Sequence, residues 1–234
     1  MATSTETVAA KAATPKMSLD GDRWVQFPAT WETYQSLCES RGDKSRPRYF
    51  YFDGRLTVVS PGQPHEWIKT RMGWLIEEMF LALEIDFHAT GSVTLLKSKQ
   101  RRAGTEADES YYVSNIAHVL GKKNLVMGED PAPDLTVEVV VSHDEDDAIE
   151  SYRLFGVREV WVVKDGELSF LSLGFDGHYA ASLTSLLFPN LTSDELAPWV
   201  FRQDLTGERR VRIDFRAWVL ETLVPRKRLA DDNP

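Results

Sequence analysis

The sequence predicts a single α/β domain. Three observations carry that prediction: two strand pairs turning at Asp-Gly, one long stretch of helical apolar spacing, and two apolar runs that each hold carboxylates. At 234 residues the chain is long enough for one sizeable core. Hydrophobic residues at 42% and charged residues at 27% describe an ordinary globular protein in which disorder does not dominate.

Residues 1–22, rich in Ala and Thr, read as a disordered tail, and residues 23–224 as the domain. Thr30 caps a short helix that carries Tyr34, Leu37 and Cys38 and ends at Gly42. Arg48 to Phe52 and Arg55 to Val59 flank Asp53-Gly54, a dipeptide suited to a two-residue turn with positive φ. From Pro64 to Glu84, Ile68, Met72, Leu75, Ile76, Met79, Phe80 and Leu83 follow helical spacing. Trp67, Trp74 and Leu81 widen that stripe, so Trp67 and Trp74 are expected in the core, as is Trp161.

Residues 87–97 read as one strand, followed by a basic loop and a first acidic strand over 106–113. Ile116 to Leu120 make a helical turn. Asp130-Pro131-Ala132-Pro133 forces an extended entry to a second acidic strand, 133–141, because each proline disfavours helix in the residue before it. A helix over 143–155 starts with four acids in the turn where the helix dipole favours anions. Arg158 to Val163 and Glu167 to Leu173 form a second hairpin around Asp165-Gly166, a short strand starts at His178, and helices over 193–202 and 215–223 close the domain. The charged residues 225–234 read as a loose tail.

One cysteine, Cys38, excludes an internal disulfide and any multi-cysteine metal site, which fits the reducing cytoplasm. No apolar run is long enough to span a bilayer, so no membrane partner is expected. A net charge of −9 argues against a broad electrostatic grip on nucleic acid, although basic segments remain at 41–48 and 97–102. Gly-rich phosphate loops, nucleophile elbows and metalloprotease helices are absent from the sequence.

The chemistry rests on the acids. A core strand normally excludes carboxylates, because burying an unpaired charge costs several kcal/mol, roughly, unless a cation or hydrogen bonds compensate. Strand alternation sends Asp134, Thr136, Glu138 and Val140 one way and Leu135, Val137, Val139 and Val141 the other. In the earlier strand, Asp108 shares a face with Ser110 and Tyr112. If the strands are neighbours the acids converge, and an all-oxygen set favours Mg²⁺, or Mn²⁺, over zinc. The plainer alternative is a set of acids making caps and surface pairs.

The ordered set His65-Glu66, residues 105–113, residues 133–139, Tyr152 and Gly156 to Trp161 resembles the Uma-type restriction endonucleases of the PD-(D/E)XK nuclease superfamily, over about residues 28 to 222. The resemblance implies a mixed central sheet between helices and a Mg²⁺-dependent endonuclease acting on DNA. It implies Asp108 and Glu138 as catalytic metal ligands, supported by Glu66 and Asp134 as further metal-site acids. Restriction-type nucleases that cut both strands often pair two subunits, which makes a homodimer an open expectation.

The sequence departs from the pattern at the lysine. The two places where a basic residue belongs hold Val140 and Ala148. Lys97, ending the strand before the acidic pair, is the candidate catalytic substitute, and Lys99, Arg101 and Arg102 are candidate nucleic-acid contacts. The rival reading is a nuclease-derived module that no longer cuts and serves to bind nucleic acid or a protein partner. His65 and His143 read as capping or surface residues rather than ligands, and Cys38 as buried rather than nucleophilic.

Overall fold

A computed structural model describes residues 16–18, 21–42, 44–97, 102–122, 125–140, 146–188, 190–203 and 207–231. The chain opens with β1 (Lys16–Ser18) and β2 (Arg23–Pro28), then α1 (Trp31–Arg41), the hairpin β3 (Arg48–Phe52) and β4 (Arg55–Ser60), and the long α2 (Gln63–Ala82). Short strands follow: β5 (His88–Ala89), β6 (Thr94–Lys97), β7 (Ala103–Glu106) and β8 (Glu109–Tyr112). After α3 (Ile116–Val119) and β9 (Leu125–Val126) come β10 (Leu135–Val140), α4 (Asp146–Phe155), β11 (Glu159–Lys164), β12 (Glu167–Leu173) and β13 (Tyr179–Ser182). Two helices, α5 (Ser193–Phe201) and α6 (Glu208–Asp231), complete it.

Local chemistry accounts for the element ends. Thr30 accepts a hydrogen bond from the Thr33 amide and opens α1, as its position predicts. Both Asp-Gly turns hold two successive left-handed residues, Asp53 and Gly54 at φ 47° and 79°, and Asp165 and Gly166 at 52° and 80°. That backbone matches the twist of the flanking strands, which is why the dipeptide specifies each hairpin. Thr192 and Glu195 form a reciprocal capping box at the start of α5.

The expected single central sheet is two mixed sheets. One has seven strands in the order β1-β2-β4-β3-β7-β6-β9, the other six in the order β13-β12-β11-β10-β8-β5. Within each, one pair is parallel (β6 with β9, β10 with β11) and the other pairs are antiparallel. On β10 the residues Leu135, Val137 and Val139 join Trp161, Val163 and Phe170 in a core roofed by α2, α5 and α6. On the other face Val140, Val160 and Val162 pack with α4 residues Ala148, Tyr152 and Phe155 and with Phe50 and Phe52 of the first sheet. Both faces of β10 are therefore covered, and its even-numbered side chains point into the seam between the layers.

Two expected strands are broken at that seam. Residues 87–97 divide into β5 and β6 around Gly91, which takes φ 56°, and the acidic run divides into β7 and β8 at Ala107-Asp108. In each case the first and second halves belong to different sheets. Alternation along the run places every residue except at such a crossing, and Asp108 is at one.

The tails also differ from expectation. Within residues 1–22, β1 pairs with β2 and Asp22 is fully buried, because the edge of β2 offers unpaired backbone and Asp22 finds donors described below. Residues 1–15 lie outside the described residues. At the other end α6 continues through Pro225 to Asp231, tied down where Arg226 donates to Glu195 at 2.7 Å and to the Asn190 carbonyl at 3.1 Å. Trp161 is fully buried as expected, whereas Trp67 is 37% exposed. Among the described residues no helix is long and apolar enough to cross a membrane.

Gly104 sits in buried β7 against the Tyr34 ring, and a Cβ there would run into the ring and its hydroxyl. Tyr34 has little room to yield, since it is buried between Trp31 and Tyr51. Gly104→Ala is expected to destabilise the fold by about 1–3 kcal/mol, read as a lower urea midpoint at unchanged slope. An unchanged midpoint would mean that the ring shifts freely.

Candidate functional site

The antiparallel register Val137 to Glu109 brings Glu138 of β10 beside Asp108. The Asp108 amide donates to the Val137 carbonyl at 3.0 Å, and the Val139 amide donates to Asp108 Oδ2 at 2.7 Å. Asp108 thus continues the ladder with both its backbone and its side chain, which is how a carboxylate ends a strand in the middle of a protein. The two acids are 0% and 1% exposed, so their solvation must come from protein groups.

Arg48 supplies the charge. It opens β3, is 3% exposed, and its Nη1 donates to Asp108 Oδ1 while Nη2 lies 4.0 Å from Glu66 Oε1. Burial pulls its pKa down, but Asp108, Glu138 and Glu66 push it further up, so it stays cationic. The guanidinium therefore stands among the three acids. His65, in the first turns of α2, reaches the same Asp108 Oδ1 from Nε2 at 2.7 Å, and its Nδ1 lies 2.9 Å from Asp22 Oδ2. Asp22 in turn accepts from the Gly62 amide at 2.7 Å, at the N-cap of α2.

The protonation states follow from these partners. For His65, burial acts to lower the pKa, but the hydrogen bonds and charges of Asp108 and Asp22 raise it to about 9. The imidazole is then cationic at neutral pH, with both nitrogens donating. For Asp108, burial acts to raise the pKa, and Arg48 and His65 outweigh it and hold the carboxyl well below the usual range. Tyr152 on α4 donates to Glu138 Oε2 at 2.7 Å, and burial together with Glu138 keeps its hydroxyl protonated. A second buried pair, Arg41 with Glu106 at 2.5 Å, sits two residues before Asp108 in the chain, where burial raises Glu106.

The other expected site residues lie elsewhere. Asp134 accepts from the Val113 and Ser114 amides at 2.8 and 2.9 Å and from the Ser114 hydroxyl at 2.9 Å. It closes the end of β8, a capping role, and takes no part in the Asp108 network. Glu66 lies at the mouth, with its side chain 31% exposed and paired with Arg46 at 2.8 Å. Lys97 pairs in register with Ala103, at the end of β7 away from Asp108, and its side chain lies outside the described residues. Arg102 is exposed and donates to Glu32 of α1 at 3.0 Å. Lys99, Arg101 and His143 lie outside the described residues. Cys38 is half-buried, and burial pushes its thiol up, against a nucleophilic role.

Sequence reasoning missed Arg48, Asp22 and the ligation of His65. A signal existed for Arg48, the one charged residue in the otherwise aromatic run Arg48-Tyr49-Phe50-Tyr51-Phe52. Asp22 and His65 carry no such signal, being joined across 43 residues only by folding.

Comparison with known proteins bears on this arrangement. The family model described as putative restriction endonuclease, Uma2, matches residues 31–206, more than half of the chain. The chain belongs to the Uma2 family. The match includes Arg48, His65, Glu66, Asp108 and Glu138, while Asp22 lies before it. Among solved structures, the chain is similar to a putative nuclease belonging to DUF820 from Anabaena variabilis, at 14% identity and a TM-score of 0.50 over 70% of this chain and 97% of that one. At that identity the likeness shows the α/β fold alone. No curated protein sequence matches the chain.

By donor type, Asp108, Glu138 and Glu66 suit a hard cation such as Mg²⁺. By arrangement they do not. Both Asp108 oxygens are engaged, the Arg48 guanidinium stands among the acids, and no group of three His, Cys, Asp or Glu side chains that could hold a metal ion occurs among the described residues. Val140 and Ala148, the two places where the resemblance calls for a basic residue, are 4% and 3% exposed and packed in one apolar cluster.

Two outcomes follow from the charge network. Arg48→Met leaves Asp108 buried without its cation and is expected to destabilise the fold by about 3–5 kcal/mol, measured by urea unfolding. Pairing it with Asp108→Asn removes the stranded charge, so the double variant should lose less than the single. A double variant no better than the single would show that Arg48 matters mainly through packing.

Stability should also fall on the alkaline side. His65 titrates near 6.5 unfolded and about 9 folded, so its contribution is complete below about pH 6.5 and lost as pH rises through 9. Burial likewise raises Glu109 to about 7, Lys69 opposing it, so its contribution is lost between about pH 4.5 and 7. Asp108 acts in the opposite sense and weakens the fold only in strong acid, below about pH 4. Thermal melts from pH 4 to 10 should show this decline, with His65→Asn flattening the limb from pH 7 to 9.

Proposed function

We propose that this Uma2 protein is a nuclease-fold module that binds nucleic acid and does not cut it in the state described above. One observation carries the reading: the Arg48 guanidinium is seated where Asp108, Glu138 and Glu66 meet. An internal cation already balances the buried carboxylates, so the fold needs no metal ion to compensate them. The apolar residues at both lysine positions remove the group expected to orient an attacking water. Membership of a family described as restriction endonucleases, and the likeness to a protein titled a nuclease, support nucleic acid as the partner. Exposed Arg212 on α6 offers a cation to phosphate despite the net negative charge.

The second reading, a Mg²⁺- or Mn²⁺-dependent DNA endonuclease, is favoured by the adjacency of Asp108 and Glu138 on paired strands. It requires Arg48 to leave Asp108. It also carries the homodimer, since cutting both strands of a duplex takes two centres.

Purified protein and labelled DNA in EDTA should give salt-sensitive complexes in a mobility-shift assay. With supercoiled plasmid and Mg²⁺ or Mn²⁺, nicking should not exceed that of Asp108→Ala and Glu138→Ala controls, and calorimetry with Mn²⁺ should show no stoichiometric binding. Metal-dependent nicking that disappears in both controls would establish the second reading instead. Absence of any nucleic-acid complex would sink the first.

A further inference from the structure

We propose that the groove around Trp67 holds one unpaired nucleobase stacked on the indole. The inference rests on the nucleic-acid reading above and adds to it a place and a mode of contact. Trp67 lies on α2 one residue from Glu66, at the mouth of the acid centre, and is 37% exposed despite the apolar stripe around it. The Arg71 guanidinium stacks on the ring, its central carbon 4.2 Å from the centroid. Arg71 is 3% exposed and fixed by the Arg202 carbonyl and Glu208, so it braces the indole from the protein side. The ring is thus packed against a fixed guanidinium and remains 37% exposed.

Two lobes, of about 660 and 320 Å³, meet at Trp67 and share Gln63, Arg71 and Glu208. The larger extends to Gln203 and Val211. The smaller extends to Glu66, Trp74 and Arg212 and so adjoins the acid centre. Pockets of roughly 300–1,000 Å³ enclose small organic ligands, a range that suits a base with its sugar.

The chemistry of the walls selects the occupant. A nucleobase presents a π-face, an edge of mixed donors and acceptors, and an adjoining phosphate. Trp67 offers the face, and the Gln63 and Gln203 amides each offer both a donor and an acceptor. Arg212 is exposed, with its guanidinium 4.8 Å from the Trp74 ring, and offers the cation. The acids in the walls are already balanced, Glu208 by Arg71 and Glu66 by Arg46. A base inside a duplex is stacked on both sides and cannot present its face, so the site takes a single strand or a flipped-out nucleotide.

The test is fluorescence anisotropy of the full chain with a labelled oligothymidylate, and with the same oligomer carrying abasic residues, both in EDTA. The wild type is expected to bind the base-bearing oligomer about tenfold more tightly than the abasic one. Trp67→Ala should lose that about tenfold advantage while leaving abasic binding unchanged, and Trp67→Phe should retain most of it. Thermal melts check folding, and Gln203→Glu, which sets a charge at the rim without altering α2, should weaken base-bearing binding independently. Equal affinity of wild type and Trp67→Ala for the base-bearing oligomer, or of wild type for the two oligomers, overturns the inference and leaves the nucleic-acid reading intact. Failure to bind any oligomer or duplex overturns both.

Discussion

Everything at the centre of this protein depends on keeping Asp108 ionised in a place that water does not reach. The carboxylate ends a strand inside the molecule, where the chain crosses from one sheet to the other. It survives there because Arg48, His65 and the Val139 amide each approach it from a different element. Those three partners draw β3, the start of α2 and β10 onto a single atom group. Asp22 extends the chain of contacts to the residues before β2 through His65 and the Gly62 amide. Removal of one partner would leave a buried charge, so the network behaves as a joint between the two layers rather than as an optional surface pair.

That joint also determines what the acids can do. Carboxylates on neighbouring strands are the raw material of a metal site, and Asp108 with Glu138 supplies two of them. A guanidinium among the acids competes for the same electrostatic role: it is a fixed, permanently charged, planar donor that a divalent ion would have to displace. Tyr152 adds a donor to Glu138 from the helix that carries Ala148. Asp108 is thus engaged by its own partners at both oxygens, and the network reaches solvent at Glu66, which pairs with exposed Arg46 and lines the Trp67 groove.

Much of the fold was legible in the chain. Asp53-Gly54 and Asp165-Gly166 marked both hairpins because few residues tolerate two successive left-handed conformations, and Thr30 marked the start of α1 because its hydroxyl replaces a missing helical acceptor. Alternation on β10 correctly assigned Leu135, Val137 and Val139 to the core, and the pairing of β8 with β10 brought Asp108 and Glu138 together. The failures share a cause. The breaks at Gly91 and at Ala107-Asp108 occur where the chain changes sheets, and local period carries no record of which sheet a residue joins. Trp67 was assigned to the core by spacing alone, yet it borders a groove it shares with Glu208 and Val211 of α6 and is 37% exposed.

The sequence by itself determined the element types, the family resemblance and the list of acids, since these rest on propensity, periodicity and short-range turn chemistry. Only the tertiary structure decided the partners. Asp134 and Glu138 are four residues apart on one expected strand with the same expected orientation, but Asp134 lies just before β10 and caps a turn, while Glu138 meets Arg48 and Tyr152 across the seam. His65 reads as an ordinary residue in a helix's first turn, and becomes a cation because two distant aspartates converge on it. Burial makes each charge depend on whichever opposite charge folding brings within about 3 Å, and for Asp108 and His65 that neighbour comes from 43 to 60 residues away in sequence, beyond the range of any local rule.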